Sequence, residues 1–319
     1  MASRIWLIAG PTASGKSALA LRLAHAVHGE IVGADALQIY RDLPVLTASP
    51  GPTERKGVPH HLVGTVDGAI GWSVGRWLTA ANIRIAKLQE AGVDVIVVGG
   101  TGLYLEALVK GIAEIPPVSS QVRAQATEEF AQMGEAAFRA RLAGVDPAAA
   151  DRILPGDRQR LVRAWEVFVG SGRPLSDWRT RRQGGLAPGS WRGVRLMPPR
   201  EALYSRCDAR YIEMIHGGAI DEALALASRQ LEPSLPVCKA VGLRPVLSHL
   251  AGLMSLKEAI AAGQQETRNY VKRQEVWLRG RMANWPAITD IDPDDQWRSF
   301  LALNPDLTAS RGHGSSVRS

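Results

Sequence analysis

Apolar residues fall at two different spacings along this chain. Residues 4 to 9 (RIWLIA), with the unbroken apolar run Ile5 to Ala9, form a short stretch that stops at Gly10, and Ser17 to Ala26 then carry Leu19, Leu21 and Leu23, with Val27 beyond. A short strand, a glycine loop and a helix are expected in that order. A second strand is expected over Glu30 to Ala34, ending at Asp35. A third covers Val93 to Val98, a near-continuous Val/Ile run closed by Gly99-Gly100. Unbroken β-branched runs suit strands covered on both faces of a parallel sheet, and the helical spacing between them, as in Val74 to Ala91, supplies crossover helices.

Pro116-Pro117 breaks this alternation. Helices are expected over Gln121 to Leu142, Pro147 to Ile153 and Asp157 to Val169, with no strand-like run until about Trp191. A short strand is then expected at Val194 to Met197, followed by helices over Arg200 to Gln230 and Leu256 to Met282. The pattern implies an α/β core of residues 1–115 and 196–306, its mostly parallel sheet flanked by helices, with an inserted all-helical domain at 116–195. Residues 307–319, polar and Gly/Ser-rich, are expected to be disordered.

Charge sharpens this division. The net charge is +7, yet residues 116–195 hold thirteen Arg, no Lys and eight acidic residues, a net +5. Arg forks suit phosphate and stack on bases, which makes the insertion a candidate nucleic-acid surface; since Arg outnumbers Lys 31 to 7 overall, a compositional bias is the bland alternative. Two cysteines, Cys207 and Cys238, exclude a disulfide framework and a four-cysteine zinc site. The longest apolar run near the start is too short for a signal peptide or membrane span, so a cytoplasmic protein is expected.

Gly10-Pro11-Thr12-Ala13-Ser14-Gly15-Lys16-Ser17 fits G-x-x-x-x-G-K-[ST] between a strand and a helix, making the core a P-loop fold. Its backbone N–H groups form an anion cradle, Lys16 neutralises the outer phosphate, and Ser17 can reach a phosphate-bound Mg²⁺. A nucleotide hydrolase would add a strand ending in Asp to hold the metal. Here the third strand ends in Gly99-Gly100-Thr101-Gly102-Leu103-Tyr104 instead, which suits a cradle for a diphosphate leaving group. Asp35 and Thr101 belong to the same sheet rim as Lys16. Asp35 is a candidate general base and Thr101 an orienting hydroxyl; equally, Asp35 could cap a helix and Thr101 close a glycine turn.

These blocks resemble the tRNA dimethylallyltransferase family, from about Ile5 to Trp285. The resemblance is carried by GPTASGKS, by Asp35-Ala36-Leu37-Gln38-Ile39-Tyr40, by VPHHL (Val58 to Leu62) and by GGTGLY (Gly99 to Tyr104). Asp157 to Trp178, Lys239 to Gly242 and Thr267 to Gln274 add three more blocks. The resemblance implies transfer of a dimethylallyl group from dimethylallyl diphosphate to the exocyclic amine of the adenosine 3′ of the anticodon, with Mg²⁺ required and a monomer expected. It implies Asp35 as the base and Thr101 as a contact to that nucleotide. Asp35, Ala36, Leu37 and Gln38 would form one tRNA-holding strip; Arg123 and Gln159-Arg160-Leu161-Val162-Arg163 would supply further tRNA contacts. Tyr40, Tyr104 or Trp72 could stack on the base or be core. Ala36 replaces the family's usual Ser, and Thr47-Ala48-Ser49-Pro50 lacks the usual Gly and Lys, so one cation beside the phosphates is missing. A P-loop kinase of a nucleoside or small molecule, and a tRNA-binding protein without turnover, are the competing readings.

Overall fold

The computed structural model describes residues 3–178 and 182–309. Six strands form one sheet in the order β3 (His60–His61), β2 (Glu30–Gly33), β4 (Val95–Gly99), β1 (Ile5–Ala9), β7 (Trp191–Leu196) and β8 (Ala287–Ile288), and every neighbouring pair is parallel. The continuous apolar runs sit at its centre, where β1 is buried along its whole length. The short edge strands β3 and β8, two residues each, are below what an apolar run can signal.

Register places the site. Ala9 lies opposite Gly99 and Gly33 opposite Val98, so β1, β2 and β4 end at one level and release their loops on the same rim. α1 (Lys16–Val27) and α2 (Val74–Glu90) are the crossovers that alternate with them. The turn after β4 leads into α3 (Gly102–Lys110) and presses against the end of β2: Ala34 N–H donates to Val98 O (2.8 Å) and Thr101 N–H to Ala34 O (3.2 Å). A Cβ on Gly99 would lie 2.0 Å from Ala34 O, a backbone atom that cannot swing aside. Gly99→Ala is expected to destabilise the protein by about 3 kcal/mol or more, since the strands must part to admit the methyl. A thermal melt within about a degree of the unsubstituted protein would contradict this close packing.

The chain divides into two compact units, one of Met1–Val109 with Leu186–Ser319 and one of Lys110–Gly185. Trp191 to Arg195, read from the sequence as the end of the insertion, pair with β1 in the first unit. The second unit is built from α4 (Ser120–Ala143), α5 (Pro147–Arg152), α6 (Arg158–Ser171) and α7 (Leu175–Trp178). It also contains an antiparallel pair, β5 (Ile112–Ala113) with β6 (Arg182–Gln183), that no apolar alternation announced. Gly134, at φ 72°, interrupts α4, and Phe138 packs between Phe130 (5.1 Å) and Trp165 (6.1 Å) in the unit's core.

The first unit is completed by α8 (Arg200–Met214), α9 (Ile220–Ser228), α10 (Leu243–Leu250), α11 (Leu256–Arg281), α12 (Pro293–Leu303) and α13 (Asp306–Ala309). The single helix expected over Arg200 to Gln230 is broken at Ile215–Ala219, where Gly218 takes φ 113°. Residues 307 to 309, expected to belong to a disordered tail, lie in α13; the remainder of that expectation, 310–319, falls outside the described residues. No described helix is long and apolar enough to cross a membrane.

Candidate active site

The turn from Gly10 to Ser17 joins β1 to α1. Gly15 takes φ 92°, a left-handed conformation, and no side chain caps the helix, so the first N–H groups of α1 are open to an anion. Lys16 Nζ donates to Pro11 O at 3.1 Å. Ser14 is fully buried, its Oγ without a hydrogen bond among the described residues, so Ser14 offers the cradle its backbone rather than its hydroxyl. Arg210 of α8 donates to Thr12 Oγ1 across the same loop.

A cavity of ≈ 90 Å³ opens here, and its lining includes Thr12, Lys16, Ser17, Asp35, Arg210 and Tyr270. A neighbouring space of ≈ 640 Å³ shares Lys16, Ser17, Gln38 and Arg210 with it. Protein encloses the Lys16 ammonium, and that desolvation draws its pKa from 10.5 down to about 8; the negative charge of Asp35 opposes the shift, and the Arg210 guanidinium adds to it.

Asp35 Oδ1 accepts from Leu37 N–H (3.0 Å) and Gln38 N–H (3.3 Å). The carboxylate thus closes a turn at the end of β2 and caps no helix, while Oδ2 makes no hydrogen bond among the described residues. Thr101 Oγ1 accepts from Ala36 N–H at 2.9 Å. Ala36 therefore meets Thr101 through its backbone, a bond the family's usual Ser would make equally. Gln274 of α11 joins the two halves of the site: Thr12 N–H donates to its Oε1 (2.9 Å), and its Nε2 donates to Gly100 O (2.9 Å). The Tyr270 hydroxyl interacts with Thr101 and Gln274, and burial pushes its pKa up.

Several sequence-derived residues are placed differently. Gln38 spends its amide N–H groups on Thr47 O (3.0 Å) and Ala48 O (2.9 Å), fastening the segment that lacks the family's usual Gly and Lys. Leu37 lines the ≈ 90 Å³ cavity. Tyr40 and Tyr104 are core: the Tyr40 hydroxyl donates to Ile70 O, and the Tyr104 ring stacks on Trp77 at 4.6 Å. Trp72 lines neither space. In α6, Leu161 is fully buried in the helical unit's core, which corrects its placement on a tRNA-facing surface. Val162 is half-buried, whereas Arg123 and Gln159 are exposed. Arg160 pairs with Asp157 (2.8 Å) and Arg163 with the buried Glu166 (2.5 Å).

Arg210, Tyr270 and Gln274 were not singled out from the sequence. A signal existed for Arg210: Cys207, Arg210, Tyr211 and Met214 recur at helical spacing on α8, and all four line the cavity. For Mg²⁺, Ser17 is exposed at the cavity with a hard oxygen donor, and no group of three or more His, Cys, Asp or Glu stands ready for a metal among the described residues. That donor set fits Mg²⁺ held mostly by diphosphate oxygens and water.

A parallel α/β sheet whose first strand turns through a glycine-rich anion nest, with a carboxylate beside that nest, defines a phosphate-handling enzyme core. Two family models match, "IPP transferase" over residues 38–281 and "Isopentenyl transferase" over residues 3–61. The chain belongs to the IPP transferase family. It is 60% identical over 308 residues to a tRNA dimethylallyltransferase of Phenylobacterium zucineum, covering 97% of this chain and 100% of that one. It is 50% identical over 299 residues to a tRNA dimethylallyltransferase of Caulobacter sp., covering 94% and 97%. A crystal structure of a eukaryotic dimethylallyltransferase acting on tRNA superposes with TM-score 0.82 at 25% identity, covering 98% of this chain and 81% of that one. The tRNA isopentenylpyrophosphate transferase of Bacillus halodurans gives 0.66 at 29% identity, covering 97% and 98%.

Proposed function

We propose that the protein transfers a dimethylallyl group from dimethylallyl diphosphate to the exocyclic amine of the adenosine 3′ of the anticodon in tRNA, as a cytoplasmic monomer. One observation carries the reading: the cations Lys16 and Arg210 and the carboxylate of Asp35 line a single cavity. The transfer needs cations to receive an anionic leaving group and an acceptor for a proton, and this lining supplies both kinds of group.

The adenine amine is a weak nucleophile because its lone pair is delocalised into the ring. Its attack on the allylic carbon forms the C–N bond, breaks the C–O bond to diphosphate, and leaves a proton on nitrogen. Asp35, with Oδ1 fixed by two backbone N–H groups, takes that proton on Oδ2. Lys16, Arg210 and the backbone N–H groups at the start of α1 receive the negative charge that develops on diphosphate. Bound Mg²⁺, held by Ser17 and diphosphate oxygens, would supply further charge neutralisation to the leaving group. Thr101, anchored to Ala36 and in contact with the Tyr270 hydroxyl, would help hold the target nucleotide, which must leave its stack to be reached.

Purified protein incubated with tRNA and labelled dimethylallyl diphosphate, beside a reaction with labelled ATP, tests this. Label from the prenyl donor is expected in tRNA; consumption of ATP without it would turn the reading to a kinase.

The helical unit would carry the tRNA contacts, with Arg123, Gln159, Arg160 and Arg163 as its exposed or half-buried polar groups. Arg160→Ala with Arg163→Ala is expected to weaken tRNA binding about tenfold at low salt and to flatten the salt dependence, since two phosphate contacts are lost. Affinities equal to those of the unsubstituted protein at both 50 and 200 mM salt, measured by filter binding, would assign both residues to their Asp157 and Glu166 pairs alone.

A further inference from the structure

We propose that Gln296, on α12, is a positioning residue for the diphosphate end of the reaction; this rests on the functional reading above. Gln296 lies outside both spans that match the family models, 38–281 and 3–61. It is nevertheless 1% exposed and pressed against the underside of the phosphate loop. Its Nε2 donates to Ser14 O (2.9 Å) and to Asp290 O (2.9 Å), while its Oε1 is buried with no hydrogen bond among the described residues. A Cβ on Gly15 would come within 2.5 Å of that oxygen.

Peptide geometry turns this contact into a function. Ser14 O and the Gly15 N–H belong to one planar trans peptide and point in opposite directions. Pinning the oxygen against α12 therefore aims the N–H away from α12, towards the loop's open face where Thr12, Lys16 and Ser17 line the cavity. That N–H makes no hydrogen bond among the described residues and is free for an anionic oxygen. Without Gln296 the Ser14–Gly15 peptide can rotate, and the anion must order the loop as it binds.

The support beneath Gln296 is separate from the contact itself. α12 is held to α1 by Arg22 with Asp294 (2.5 Å), by the Arg22 guanidinium over the Trp297 ring (5.0 Å), and by Phe300 in the cluster with Leu19 and Leu23. Trp297 stacks on Phe300 and touches no part of the loop's hydrogen bonding. A variant at Trp297 thus loosens the helix while leaving the Gln296 amide in place.

The test compares Gln296→Met with Trp297→Leu in the full-length protein, reading steady-state transfer, thermal melting and calorimetric binding of inorganic diphosphate with Mg²⁺. Gln296→Met is expected to raise KM for dimethylallyl diphosphate and to weaken diphosphate binding, each about tenfold, through loss of the preorganised loop. KM for tRNA should be unchanged. Its melting temperature should also fall, because methionine leaves Ser14 O and Asp290 O without their donor even as it removes the orphaned acceptor. Trp297→Leu should melt earlier with KM for dimethylallyl diphosphate unchanged. Unaltered diphosphate binding in Gln296→Met overturns the proposal. So does a rise in KM that tracks the loss of melting temperature across both variants, which would make Gln296 mere packing. If the unsubstituted protein transfers no prenyl group but Gln296→Met still weakens diphosphate binding, the functional reading fails and the positioning role stands.

Discussion

Asp35→Asn is expected to slow single-turnover prenyl transfer by about 10²–10⁴-fold while leaving tRNA and diphosphate binding intact. The substitution is chosen because Asp35 has two jobs that asparagine separates. Oδ1 accepts from Leu37 N–H and Gln38 N–H, and an amide oxygen can accept both bonds, so the turn after β2 survives. What disappears is the proton-accepting oxygen and the negative charge. Asp35→Ala would remove the turn as well and confuse the two effects. The lost charge has a second consequence, because Asp35 supports the protonated form of Lys16 against desolvation. In Asp35→Asn the Lys16 pKa should fall below its present value of about 8, and the alkaline limb of kcat/KM for dimethylallyl diphosphate should move to lower pH. Near-normal transfer by this variant in a rapid-quench experiment would remove Asp35 from the role of base and leave it as a turn residue.

What the sequence revealed and what it hid differ by the range of the interaction. The phosphate loop, Asp35 and Thr101 were legible because each follows a strong apolar run directly, and parallel strands that start together end together; Ala9 opposite Gly99 and Gly33 opposite Val98 express that rule. The contacts between those segments were not legible. Gln274 bridges Thr12 to Gly100 from more than 150 residues further along the chain, and Gln296 reaches Ser14 from α12. A lone glutamine on a helix carries no periodicity to betray such a role. Leu161 shows the converse limit. Its block resembles a tRNA-contacting one, but its side chain falls on the buried face of α6, and its neighbours Arg160 and Arg163 are the residues left to meet a ligand.

Lys16→Met should make the protein both less active and more stable, a pairing that a purely structural lysine would not give. Lys16 is forced into an enclosed site where its ammonium has one backbone acceptor, Pro11 O, and its pKa falls from 10.5 to about 8. Lysine with a depressed folded-state pKa destabilises the fold. The penalty is present in full below about pH 8, where the folded protein must hold the proton, and fades as pH rises towards 10.5, where the unfolded chain also releases it. That interval corresponds to up to about 3 kcal/mol, which an apolar side chain of similar length would recover in part. The loss is on the chemical side: the leaving diphosphate would lose one of the two cationic side chains that face it, and kcat/KM for dimethylallyl diphosphate should drop about 10²–10³-fold. In the unsubstituted protein the same titration should make kcat/KM fall above about pH 8 with the slope of one proton, as the free enzyme loses its ammonium. Lys16→Met should lack that limb. A higher melting temperature at pH 7, together with a flat alkaline profile, would show that the loop keeps a costly charge in place for the diphosphate; a lower melting temperature with an unchanged alkaline limb would contradict it.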